Sequence, residues 1–156
     1  MARREPLNER TLAAFLCGDI DVAVLSREVS SATEQVNATQ TNVHVRNMSE
    51  PFIVSSAMLI RLCDAALALH ISPTALRSIA FAIIVSESFE WAEDLVGEVL
   101  HDWSAPEVNY ELNEANLRQF RSWLAYEQPY SQIKNSDLSI YANGPIVSET
   151  RKIPHK

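Results

Sequence analysis

The apolar positions of this chain fall into blocks of helical spacing, and four of the blocks open with the same device. Leu7-Asn8 is followed by Leu12, Met48-Ser49 by Ile53, Ile71-Ser72 by Leu76, and Leu112-Asn113 by Leu117. Each time an apolar residue precedes a capping residue, and a second apolar residue follows one turn later. This is the spacing of a hydrophobic staple, with an Asn or Ser oxygen placed to accept an orphan N–H of the first turn. Pro73 stands at the first helical position after Ser72, where its missing N–H costs nothing.

These starts, and the periods that follow them, predict the elements. A short first helix covers 9–17 and is stopped by Gly18. Asp19 then caps a second helix over 20–40, whose apolar line Val22, Leu25, Val29, Ala32, Val36 makes a narrow seam suited to one partner helix. Residues 41–48 form a polar loop. The third helix, 50–70, is apolar nearly all round and is therefore central. The fourth begins at Pro73 and has no polar side chain from Ile79 to Val85. From Phe89 the pattern becomes a one-sided stripe through Ala92, Val96, Val99 and Trp103, which predicts a kink or a break at 86–88 before the helix resumes and ends ahead of Pro106. A last helix covers 114–127, with Leu117, Phe120 and Leu124 inward. Trp103 and Trp123 are expected near the core boundary, and Trp91 off the apolar stripe.

The expected fold class is all-α: an irregular orthogonal bundle of five to six helices over 1–128, followed by a C-terminal arm, 129–156. In that arm Asn143-Gly144 favours a type I′ turn, so a short hairpin over 138–148 is an option beside an irregular course. Composition agrees with a helical domain. The 156 residues suit one core, 47% of them are apolar, and three glycines are few for a sandwich or a dinucleotide-binding sheet. Cys17 and Cys63 lie in apolar helical stretches without metal or redox spacing, so they are expected to be small buried hydrophobes. No apolar run follows the charged N-terminus, and the apolar stretches 51–71 and 75–85 are either interrupted by Arg61 and Asp64 or too short to span a bilayer. The expectation is a cytoplasmic protein that does not enter a membrane.

Charge changes the picture most. The net charge of −7 is unevenly spread: no Lys or Arg lies between Arg77 and Arg118, a window holding Glu87, Glu90, Glu93, Asp94, Glu98, Asp102, Glu107, Glu111 and Glu114. On a continuous helix Glu87, Glu90, Asp94, Glu98 and His101 would form one stripe opposite Phe89–Trp103. Three readings follow. The plainest is a solvated face that keeps the chain soluble. The second is a non-catalytic interaction or regulatory module, binding a basic protein or a second copy through Glu87, Glu90, Trp91, Asp94, Glu98 and Asp102. The third is a divalent metal site in a helical-bundle enzyme, because Glu98 and His101 make the E-x-x-H pair used by dinuclear carboxylate bundles. Such sites need a second pair, and none is present; the first expectation is therefore no cofactor. Asp64, with Arg61 one turn earlier, is expected to be a locally paired buried carboxylate.

Other chemistries lack their residues. No glycine-rich phosphate loop or nucleophile elbow occurs. The joint at His70–Arg77 has a helix-turn-helix outline, the basis of a DNA-binding alternative. A recognition helix with Arg77 as its lone cation in an acidic chain argues against nucleic acid as a partner.

Overall fold

The computed structural model describes residues 6–35 and 41–126. The fold they form is mostly helical, as the periodicity predicts, but three two-stranded ribbons depart from an all-α bundle. In chain order the elements are β1 (Leu7–Asn8), α1 (Glu9–Leu16), α2 (Val22–Ala32), β2 (Thr33–Gln35), β3 (Thr41–Val43), β4 (Val45–Arg46), β5 (Phe52–Val54), α3 (Ser56–Leu67), α4 (Pro73–Val85), β6 (Phe89–Trp91), α5 (Asp94–Ser104) and α6 (Glu114–Tyr126). The 129–156 arm, its possible hairpin, and Val36 of the expected seam lie outside the described residues.

Three of the four staples sit where a helix starts. Asn8 precedes α1, Ser72 accepts a hydrogen bond from the Ala75 N–H at 3.0 Å, and Asn113 accepts one from the Asn116 N–H at 2.8 Å. Gly18, with φ +84°, ends α1 in the left-handed conformation that glycine adopts freely. The fourth staple is a coincidence of spacing. After Pro51 the β-favouring run Phe52-Ile53-Val54 forms a strand instead, and α3 starts at Ser56, capped by the Ser55 hydroxyl at 3.3 Å from the Met58 N–H.

The second helix is shorter than its periodicity implies. Thr33 turns extended and its hydroxyl donates back to the Val29 carbonyl at 2.7 Å. From Thr33 the chain is extended as β2, which pairs antiparallel with β3, Thr33 opposite Val43. The other two ribbons are parallel and join distant segments: Leu7 pairs with Val45, and Phe52 with Phe89.

Helices pair as α3 with α6 and α4 with α5 around one core that includes Leu59, Leu62, Leu76, Ile79, Val96, Val99, Phe120 and Trp123. Trp103 and Trp123, expected at the boundary, are fully enclosed, and Phe120 stands edge-on to both. α3 and α6 pack against each other at several points. The Cys63 thiol faces the Leu117 carbonyl at 3.9 Å, Asp64 meets Arg121 at 2.6 Å, and the end of α3 shares an apolar recess of about 310 Å³ with the start of α6. Asp64 is thus neither buried nor paired to Arg61. Its partner comes from another helix, while the Arg61 guanidinium lies against Gly18. No helix among the described residues is long and apolar enough to cross a membrane.

Candidate functional site

The expected acidic stripe is not continuous. After Val85 the chain leaves the helix, and the Ser86 hydroxyl accepts hydrogen bonds from the Ser88 and Phe89 N–H groups at 3.0 and 3.4 Å, closing a turn. Residues 89–91 then run as a strand beside β5, so side chains alternate: Phe89 is buried, Glu90 points outward and Trp91 is half-buried. In the parallel register Glu90 lies next to Ile53, which is 53% exposed. A change of period from helical to two-residue is what separates Glu90 from the acids that follow.

The helix that carries those acids is α5, and it is nearly engulfed. Leu95, Val96, Gly97, Val99, Leu100 and Trp103 are buried, and so are Glu98 (2% exposed) and Asp102 (0%). Only Asp94 and His101 of this helix are exposed. The periodicity places Glu98 and Asp102 on an outer face; packing of α4 on one side and α3 and α6 on the others turns that face inward. These two carboxylates therefore belong to the interior of the described fold.

Of the other acids in the cation-free window, Glu107 meets Arg77 at 3.3 Å and Glu114 meets Arg118 at 2.8 Å. Glu93 precedes α5 and accepts a hydrogen bond from the Ser56 hydroxyl at 2.5 Å, tying the start of α5 to the start of α3. What remains at the surface of the ribbon and its flanks is Glu87, Glu90 and Asp94. All three are exposed, and no ion pair among the described residues reaches them. A polar recess of about 260 Å³, lined by Asn47, Met48, Ser49, Pro51, Glu87 and Ser88, adjoins the Glu87 end.

Trp91 is held rather than displayed. Its indole lies against Gly97, where an added Cβ would stand 2.5 Å from Nε1, and meets the His101 ring edge-on at 6.1 Å. A helix residue with any larger side chain would push the ring away, so Gly97 fixes the position of Trp91. Sequence reasoning missed both Gly97 and Ile53. Pro51 ahead of a β-branched run was the available signal for the second; for the first there was only the rarity of glycine.

The E-x-x-H pair Glu98 and His101 is split between the interior and the surface. Glu98 is inside, His101 is exposed, and the His101 Nδ1–H donates to the Gly97 carbonyl of its own helix at 2.8 Å. Among the described residues no group of three or more His, Cys, Asp or Glu side chains is placed to hold a metal ion. In the helix-turn-helix outline most of α4 is buried and Arg77 is matched by Glu107. Of the two cysteines, Cys63 is buried as expected and Cys17 is exposed. Burial, reinforced by the neighbouring Asp64 carboxylate, pushes the Cys63 thiol far above its ordinary pKa.

A comparison of the chain with protein-family models, curated protein sequences and solved structures finds no match.

Proposed function

We propose that this protein is a non-catalytic interaction module that binds a basic protein partner through the β5–β6 ribbon and its flanks. The contact residues are Glu87, Glu90 and Asp94, with Ile53 and the rim of Trp91 as the apolar part. One observation carries the reading. Three carboxylates stand exposed beside an exposed isoleucine with no ion-pair partner among the described residues, while Arg10, Arg77, Arg118 and Arg121 are each matched to an acid elsewhere. Grouped like charges cost a fold a few tenths of a kcal/mol per pair. Cations from a partner would remove that cost, speed encounter and reject acidic competitors.

Titration calorimetry with a lysine-rich peptide tests this. Binding should weaken as salt rises from about 50 to about 300 mM, across which the screening length shortens about 2.4-fold. The triple variant Glu87→Lys, Glu90→Lys, Asp94→Lys should lose about tenfold in affinity, taking about 0.5 kcal/mol for each exposed pair. Asp19→Lys, an exposed acid on the α1–α2 turn, should have little effect. Equal losses in the two variants would reduce the effect to net charge and remove the proposed surface.

A further inference from the structure

Among the described residues Leu69 is the one residue other than glycine with a positive φ, +65°. It closes α3 in the manner of a Schellman motif. The Leu69 N–H donates to the Ala66 carbonyl at 3.0 Å, and the His70 N–H to the Ala65 carbonyl at 2.9 Å. Glycine fills that left-handed position at no steric cost, whereas a leucine Cβ crowds the following carbonyl there. The side chain recovers little by packing in its own chain. It is 88% exposed, more than any other large apolar side chain among the described residues. Both costs fall on one residue, where glycine would avoid them.

The same leucine edges the apolar recess of about 310 Å³ between the end of α3 and the start of α6. Of the residues that line it, Ala66, Ile71, Leu112 and Leu117 are buried, and Leu69 and Glu114 are exposed. An apolar cavity of about 150 Å³ holds benzene, so the recess has room for a leucine side chain. A protruding leucine and a hole that fits a leucine therefore lie side by side on one surface. The rim is also balanced in charge. Glu114 meets Arg118 at 2.8 Å, with 70% and 66% of the two side chains exposed. In a chain of net charge −7, such a rim lets two copies approach without setting carboxylate against carboxylate.

We propose that this surface is a two-fold contact between copies of the chain, with each Leu69 seated in the partner's recess and each Glu114 facing the partner's Arg118. A small apolar ligand would fill the hole but leave Leu69 in water. A foreign helix or strand would need a hole of its own for Leu69. A second copy supplies knob and hole together, and a two-fold axis beside Leu69 uses both twice, as a self-complementary patch requires. The backbone strain at Leu69 is then what it takes to present a leucine where glycine would present nothing. The contact shares no residue with the β5–β6 ribbon, and it stands whether or not that ribbon takes a basic partner.

Sedimentation equilibrium of the full chain, up to about 1 mM, tests this. The parent should show a monomer–dimer equilibrium that holds or tightens as salt rises, because salt screens the repulsion between two acidic chains. Leu69→Gly should raise the dissociation constant about a hundredfold, two leucines being lost per dimer at roughly tenfold each. At dilutions where the parent is monomeric, the same variant should melt about 2–4 °C higher, so its lost association is not a folding defect. Glu114→Arg and Arg118→Glu should each associate more weakly than the parent, and a mixture of the two should recover the dimer. Adding Leu69→Gly to both should abolish that recovery. A parent chain that stays monomeric throughout overturns the proposal, whatever else fills the recess. So does a dimer that salt dissolves or that Leu69→Gly leaves intact, because its contact then lies elsewhere. A mixture no more associated than either charge variant alone also overturns it.

Discussion

At the scale of single residues, Gly97 and Trp91 show how a missing side chain can place a present one. In a helix, Gly97→Ala alone should stabilise by about 0.8–1 kcal/mol through backbone propensity. Here the new methyl would collide with the indole, at about 1–3 kcal/mol for a forced repacking. The expected net effect in denaturant melts is destabilisation, with a shift in tryptophan emission. In a Trp91→Ala background the same substitution should become stabilising; a change of the same sign in both backgrounds would show that the contact does not matter. The cysteines give a second prediction at this scale. In native protein one thiol, Cys17, should react rapidly with an aromatic disulfide reagent, and Cys63 should follow only at the rate of unfolding, since burial holds it protonated. Two rapid equivalents would contradict the packing of α3 on α6. Residue identity alone could not separate these two thiols, because both lie in apolar helical runs and only tertiary covering distinguishes them.

Among elements, helix starts were legible because their chemistry is local. A cap, a staple and a proline act within one turn, and Asn8, Ser72 and Asn113 stand where that chemistry puts them. The strands were not legible, because a run of two or three residues becomes a strand only when a distant segment pairs with it. Phe52–Val54 and Phe89–Trp91 needed each other, and the residues between them in sequence carry no sign of the meeting. Thermal or denaturant melts check the assignment. Ser55→Ala and Ser72→Ala should each cost about 1 kcal/mol, as lost caps do, whereas Ser49→Ala should stay within about 0.5 kcal/mol. A large cost at Ser49 would restore the longer third helix.

For the molecule as a whole, the sequence pattern located the unbalanced charge but not its distribution. Glu87, Glu90 and Asp94 stayed at the surface, while Glu98 and Asp102 went inside because α5 is covered on nearly every side. An amphipathic count reads a helix as having one wet face. It cannot see that neighbours from three other elements close over that face. The parallel ribbon β5–β6 has a dynamic consequence. The Phe52 N–H binds the Ser88 carbonyl and the Ala92 N–H binds the Val54 carbonyl, each linking chain segments that otherwise pack in different helix pairs. Those bonds are expected to open only when the α3–α6 and α4–α5 halves part. In deuterium exchange the Phe52 and Ala92 amides should therefore be replaced as slowly as the deepest helical amides, and the antiparallel β2–β3 pair, which joins neighbouring sequence, should exchange by local fraying long before. Three residues of strand would then act as a clasp whose release coincides with loss of the native state.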